Sequence, residues 1–220
     1  MNKKLMLNVD RLKKEATEKD KKSADSKSNK KCAFCGININ KHSHYHYKNN
    51  AWHKSCSLCY YNEHLDNLIA LNKGTIAFIP EIDQEELFNL IRMIWFVKEL
   101  YNNSKNNDHL EEIYDSVSIL EEAIKDRTEV AETLFSNGAS DVNILVNYLH
   151  SQKEETIEKN HLPLKYLRWI PNHNVFKDEI EYWNKTDLKK YHPKNFKAII
   201  KQMEKKNNGW LWNRLCTIFR

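Results

Sequence analysis

The sequence predicts an α+β fold, mainly α, with one small β-hairpin clipped at its base towards the N-terminal side. Three observations lead there. Two Cys-x-x-Cys pairs, Cys32–Cys35 and Cys56–Cys59, enclose a polar and aromatic stretch of twenty residues. Within it His42, His44 and His46 alternate, which places them on one face of a strand. From Pro80 onward, apolar residues recur with a helical rather than a strand period.

The paired cysteines are the sharpest signal. Each pair is short enough for both sulfurs to reach one ion, and together they offer four thiolates to a tetrahedral metal, for which Zn²⁺ is the natural candidate. Gly36 follows the first pair and permits the tight turn that aims backbone N–H groups at sulfur. Cys32, Cys35, Cys56 and Cys59 are therefore the expected ligands of one structural zinc, with a hairpin histidine as the alternative donor for one position. A redox role is weaker, because no βαβ pattern surrounds either pair. Four unrelated thiols are the plain alternative, and paired spacing in a chain of only five cysteines argues against it.

Charge is uneven along the chain. The net +5 resolves into +6 over residues 1–31, −9 over 32–184 and +8 over 185–220. An acidic body between basic ends is a poor surface for reading nucleic acid, and leaves the ends to touch something anionic or to stay solvated. No apolar run reaches the roughly 18 residues of a membrane span, and the basic start lacks the apolar region of a secretory signal. Paired thiols without export signals point to a reducing cytoplasm.

These shifts divide the chain. Residues 1–31 form a basic arm with little to bury, expected to be disordered. Residues 32–79 form the metal-binding module: a hairpin turning at Asn49–Asn50, a short helix from Tyr60, and a second hairpin around Lys73–Gly74. Residues 80–184 form a helical body. It opens with a capping box at Asp83 and Glu86, followed by Leu87, Leu90, Ile91, Ile94, Val97 and Tyr101 on one helical face. A second helix starts at Asp108 and closes at Asn137–Gly138. A third carries Val142, Leu145, Val146 and Leu149. Tyr166 to Pro171 has strand character, and a last helix presents Phe176, Ile180 and Trp183 together. Residues 185–220 form a basic amphipathic extension, which includes Trp210 and Trp212 and is suited to a partner or an anionic membrane surface.

The order of these features resembles the DotN/IcmJ family of type IVB (Dot/Icm) secretion systems and related conjugation machines. The resemblance rests on Cys32-x-Phe34-Cys35-Gly36, the second cysteine pair, and Pro80-Glu81-Ile82-x-Gln84-x-x-Leu87. Asn137 to Asp141, Leu167-Arg168-Trp169-Ile170-Pro171 and the spacing of Phe176, Ile180 and Trp183 extend it over roughly residues 32–184. It implies a zinc-stabilised ββα module like that of HNH nucleases, joined to a helical body and without nuclease activity. It also implies binding to the C-terminal extension of the type IV coupling ATPase and to other subunits of the coupling complex that recruits substrates. The protein would then be cytoplasmic, held at the inner membrane through that complex. The segment between the knuckles is short for the family, and the basic ends look like additions.

Two other functions compete. An active HNH endonuclease cleaving DNA with a divalent ion needs a histidine base, an asparagine to orient it and a histidine on the metal. His44 or His46, Asn49 or Asn50, and His64 or His53 are the candidates for those roles. The acidic body opposes a polyanionic substrate. A zinc-stabilised nucleic-acid-binding protein would grip phosphates with its basic ends. The expectation is an adaptor without catalysis.

Overall fold

The computed structural model describes residues 7, 9, 14–39, 43–67, 74–103, 108–135, 137–151 and 164–192. The expectations for His42, for Leu68 to Lys73 and for the extension beyond His192 lie outside these residues. Among the described residues no helix is long and apolar enough to cross a membrane.

Inside the stretch expected to be a disordered arm, Glu18–Ser28 forms a helix, α1. Local and tertiary causes combine. Thr17 and Asp20 make a reciprocal capping box, which satisfies donors that a helix start leaves open. Ala24 is buried, Asp25 accepts from Lys54 Nζ at 2.8 Å and from the Tyr45 hydroxyl, and α1 packs on the hairpin. The long-range partners of Asp25 are what a composition reading misses.

The hairpin is His44–Lys48 (β1) paired antiparallel with Ala51–Ser55 (β2), His46 opposite His53. Asn49 and Asn50 turn it with φ of 52° and 57°, the double left-handed conformation that asparagine tolerates and a tight hairpin requires. Ser57–Glu63 (α2) follows directly, so the short helix begins inside the second knuckle, three residues before Tyr60.

The second small sheet joins segments far apart in the chain. Gly74–Phe78 (β3) pairs antiparallel with Leu167–Pro171 (β4), closing a long loop through the helical body. Both outer edges at the central Ile76–Trp169 pair are closed. Ile76 N–H donates to Ser140 O at 2.8 Å. On the other side the Gln84 amide donates to Trp169 O and accepts from Trp169 N–H, each at 2.9 Å. A buried amide thus stands in for a third strand.

Gln84–Asn103 (α3) starts where the capping box places it: Asp83 N–H donates to Glu86 and Glu86 N–H to Asp83, both at 2.9 Å. Its buried face holds Leu87, Phe88, Ile91, Ile94 and Trp95. Asp108–Leu134 (α4) packs on α3 and β3, and Val142–Ser151 (α5) touches β3. After a 3₁₀ turn at His173–Val175, Lys177–Lys185 (α6) buries Ile180 and Trp183 against α3. The centre of the core is aromatic. Phe88 meets Trp169 edge-on at 5.8 Å, Trp169 meets Phe176 at 6.0 Å, and Trp95 lies parallel to Phe176 at 6.4 Å.

A candidate metal centre

The first knuckle folds around its own backbone. Cys32 N–H donates to Ile37 O at 2.8 Å and Gly36 N–H to Cys32 O at 3.0 Å, with Gly36 at φ +72°. Side chains other than glycine seldom adopt that conformation, so the glycine sets the turn. Ala33 N–H donates to Lys54 O at 3.0 Å and fastens the knuckle to β2. Asn38 is held by the Asp187 carboxylate through its N–H at 3.1 Å and its amide at 3.2 Å. The second knuckle is formed by α2: Cys56 is its N-cap and Cys59 lies in its first turn.

The two knuckles bring four sulfurs together. The Sγ atoms of Cys32, Cys35, Cys56 and Cys59 all lie within 4.8 Å of one another, and Cys35 Sγ stands 3.7 Å from Cys56 Sγ. A Zn–S distance of about 2.3 Å in a tetrahedron sets sulfur–sulfur edges of roughly 3.8 Å. The cluster therefore fits an ion with little movement. All four cysteines are free, and Cys32, Cys56 and Cys59 are almost wholly buried. Among the described residues this is the one group of three or more histidine, cysteine or acidic donors close enough to share an ion, and no histidine joins it.

Ionisation splits within the cluster. Hydrogen bonds from Cys32, then Cys56 and Cys59, hold the Cys35 thiol well below its ordinary value, with Arg92 adding to the effect. Hydrogen bonding with Cys32 and Cys35 pushes Cys56 far up, and burial does the same to Cys59 ahead of its thiol neighbours. Four thiolates cannot coexist in so small a volume without a cation between them. A bound Zn²⁺ would supply that charge and cross-link hairpin to helix; with four sulfur ligands it keeps no open position for water.

Arg92 was not legible as a site residue. It sits on the buried face of α3, 3% exposed, and its Nη1 lies 3.5 Å from Cys35 Sγ. Burial works against its charge, but the Cys35 sulfur at 3.5 Å, with Cys56 and Cys59 behind it, outweighs this and makes the guanidinium more basic than usual. The available signal was a lone arginine between Ile91 and Ile94, because a charge on an apolar helical face needs a partner.

The histidines gather elsewhere, against α2. His46 Nδ1 lies 2.6 Å from His64 Nε2, and His46 Nε2 lies 3.8 Å from Glu63 Oε2. Glu63 accepts from Lys48 Nζ at 2.6 Å. His44 stacks on Tyr60 at 4.3 Å, and Tyr60 stacks on His64 at 4.3 Å. The Ser57 hydroxyl lies 3.3 Å from His44 Nε2 and donates to Glu179 at 2.7 Å, joining the hairpin to α6. His53 contacts Lys48 O at 3.1 Å, and Asn49 and Asn50 occupy the exposed turn. The structure therefore joins His46 to His64 but leaves His53 and the asparagines out of that contact.

Fold and centre together define a small α+β protein in which a four-cysteine cluster, able to hold a metal, ties a β-hairpin to a helical body. No family model matches the sequence. The chain is similar to type 4 apparatus protein DotN of Legionella pneumophila subsp. pneumophila (strain Philadelphia 1), with 24% identity over 128 residues, 58% of this chain and 55% of that protein. The chain thus spans about half the length of the curated relative it matches.

Proposed function

We propose that this protein is a non-catalytic, zinc-stabilised adaptor subunit of a type IV (Dot/Icm-like) secretion coupling complex. In this reading it binds the C-terminal extension of the coupling ATPase and helps recruit substrates for export. It works on the cytoplasmic side, held at the inner membrane by its partners. The observation that carries the reading is the similarity to type 4 apparatus protein DotN.

The contacts between its most specific motifs support it. Gln84 of the Pro80–Leu87 run pairs with the backbone of Trp169, and Arg168 Nε donates to Ile82 O at 2.8 Å. Two stretches 85 residues apart thus read as one interlocked unit, a constraint on the fold rather than on a reaction. A zinc held by Cys32, Cys35, Cys56 and Cys59 serves the same end, since four sulfur ligands make a closed structural site. A cleft of about 450 Å³ offers a partner segment an apolar floor of Ile91, Ile94, Trp95 and Ile170 with polar groups such as Glu121, Lys125 and Asn172 beside it.

The approach of His46 to His64 beside Glu63 is the one observation that favours the HNH endonuclease. Burial opposes it. Both histidines are 6% exposed, and the Glu63 carboxylate is taken by Lys48. A base must reach both water and the scissile phosphate.

Co-purification with the C-terminal extension of the coupling ATPase from the same genome, with zinc quantified in the product, tests the proposal. A stoichiometric, salt-resistant complex with about one zinc per chain is expected. Absence of a complex, together with divalent-dependent DNA cleavage lost in His46→Ala, would replace the adaptor with the nuclease.

A further inference from the structure

Arg92 poses a problem of charge. It lies on α3, outside both knuckles and 57 residues from Cys35. It is buried, and among the described residues no carboxylate forms an ion pair with it. A buried guanidinium without an anion is costly to keep charged. Among the described residues its guanidinium meets Cys35 Sγ at 3.5 Å from Nη1, Asn89 Oδ1 at 3.0 Å from Nη2, and the Trp183 ring with its centroid 5.4 Å from Cζ. Asn89 is neutral and Trp183 offers only a ring face. The sulfur cluster is the anion that this cation faces.

The metal closes the balance. A divalent ion with four thiolates carries a net charge of about −2, and one adjacent guanidinium offsets half of it. Without the ion the charge of the cluster changes, while the guanidinium stays held on α3 against the Trp183 ring of α6. We infer that Arg92 is the charge partner of the four-cysteine metal centre, and that through it metal occupancy is coupled to the packing of α3 and α6. This rests on the zinc reading of the centre. The centre is then more than a local clip for the hairpin: losing the ion loosens the helical body as well.

The test uses the full chain with zinc itself as the probe. Zinc affinity, by competition with a chromophoric chelator, is compared in wild type, Arg92→Lys and Arg92→Met, while hydrogen exchange follows α3 and α6 with and without zinc. Loss of an outer-shell partner lowers metal affinity about 10- to 100-fold, so Arg92→Met falls by that factor and Arg92→Lys, which keeps the charge, falls much less. Removing zinc from wild type lowers amide protection in α3 and α6, whereas in Arg92→Met their protection no longer responds to zinc. Should Arg92→Met fail to fold, Arg92→Gln supplies the neutral variant. Equal losses in the lysine and neutral variants would mean that Arg92 only packs, and would overturn the inference, as would wild-type helices indifferent to zinc. A wild-type chain without zinc affinity would instead overturn the zinc reading beneath it.

Discussion

Replacing Gln84 by Ala opens the sheet edge where two distant stretches meet. Gln84 is 2% exposed, and its amide forms both hydrogen bonds of the Trp169 backbone at 2.9 Å. Trp169 is fully buried, so water cannot replace the lost partner without disturbing the core. Each buried backbone group left unpaired costs about 1–3 kcal/mol. Two such groups cost about 2–6 kcal/mol, a large share of the roughly 5–15 kcal/mol that hold a domain folded. For a chain of this size each 1 kcal/mol moves Tm by about 2–4 °C. Urea denaturation of zinc-loaded protein, followed by tryptophan fluorescence, measures the loss. Gln84→Glu sharpens the test. Its carboxylate still accepts from Trp169 N–H but faces Trp169 O, and only its protonated form donates there. The folded state therefore raises the pKa of the new carboxyl, binds the extra proton, and gains stability relative to wild type as pH falls. Loss of less than about 0.5 kcal/mol in Gln84→Ala, within the range of ordinary surface changes, would refute the claim that this amide closes the sheet.

Two further substitutions probe the metal centre and β3. Cys56→Ser removes one of the four sulfurs from a buried residue at the N-cap position of α2; zinc content should fall well below one per chain, with loss of hairpin amide protection, both measured on the purified variant. Gly74→Ala places a Cβ 2.0 Å from Ile170 O at φ +143°. Strain of that kind costs about 1–3 kcal/mol before the clash is counted, and a thermal melt should show a clear fall in Tm while zinc content is unchanged.

Features set by local spacing are legible without the fold. Two residues between cysteines decide that both sulfurs face one side, and Gly36 allows the turn between knuckle and hairpin. Asn49–Asn50 makes the hairpin turn because asparagine tolerates positive φ. Asp83 and Glu86 mark the start of α3 because the capping box closes within one turn. The apolar period beyond it located the buried face of α3.

Features that depend on residues far apart emerge only from the folded chain. The partner of β3 is a strand far along the chain, with Ile76 opposite Trp169, 93 residues on, and a two-residue period cannot name its partner. The helix at residues 18–28 has a local start in its Thr17–Asp20 capping box, but its anchoring through Asp25 to Lys54 and Tyr45 on the hairpin is absent from a count of charges. Arg92 turned from an oddity of pattern into a neighbour of sulfur once α3 was laid against the knuckles. His44 and His46 share one face of β1, as alternation predicts, yet α2 packs against that face. Spacing fixes which atoms a segment can present; packing fixes what they meet, since burial and counter-charge are properties of the assembled chain.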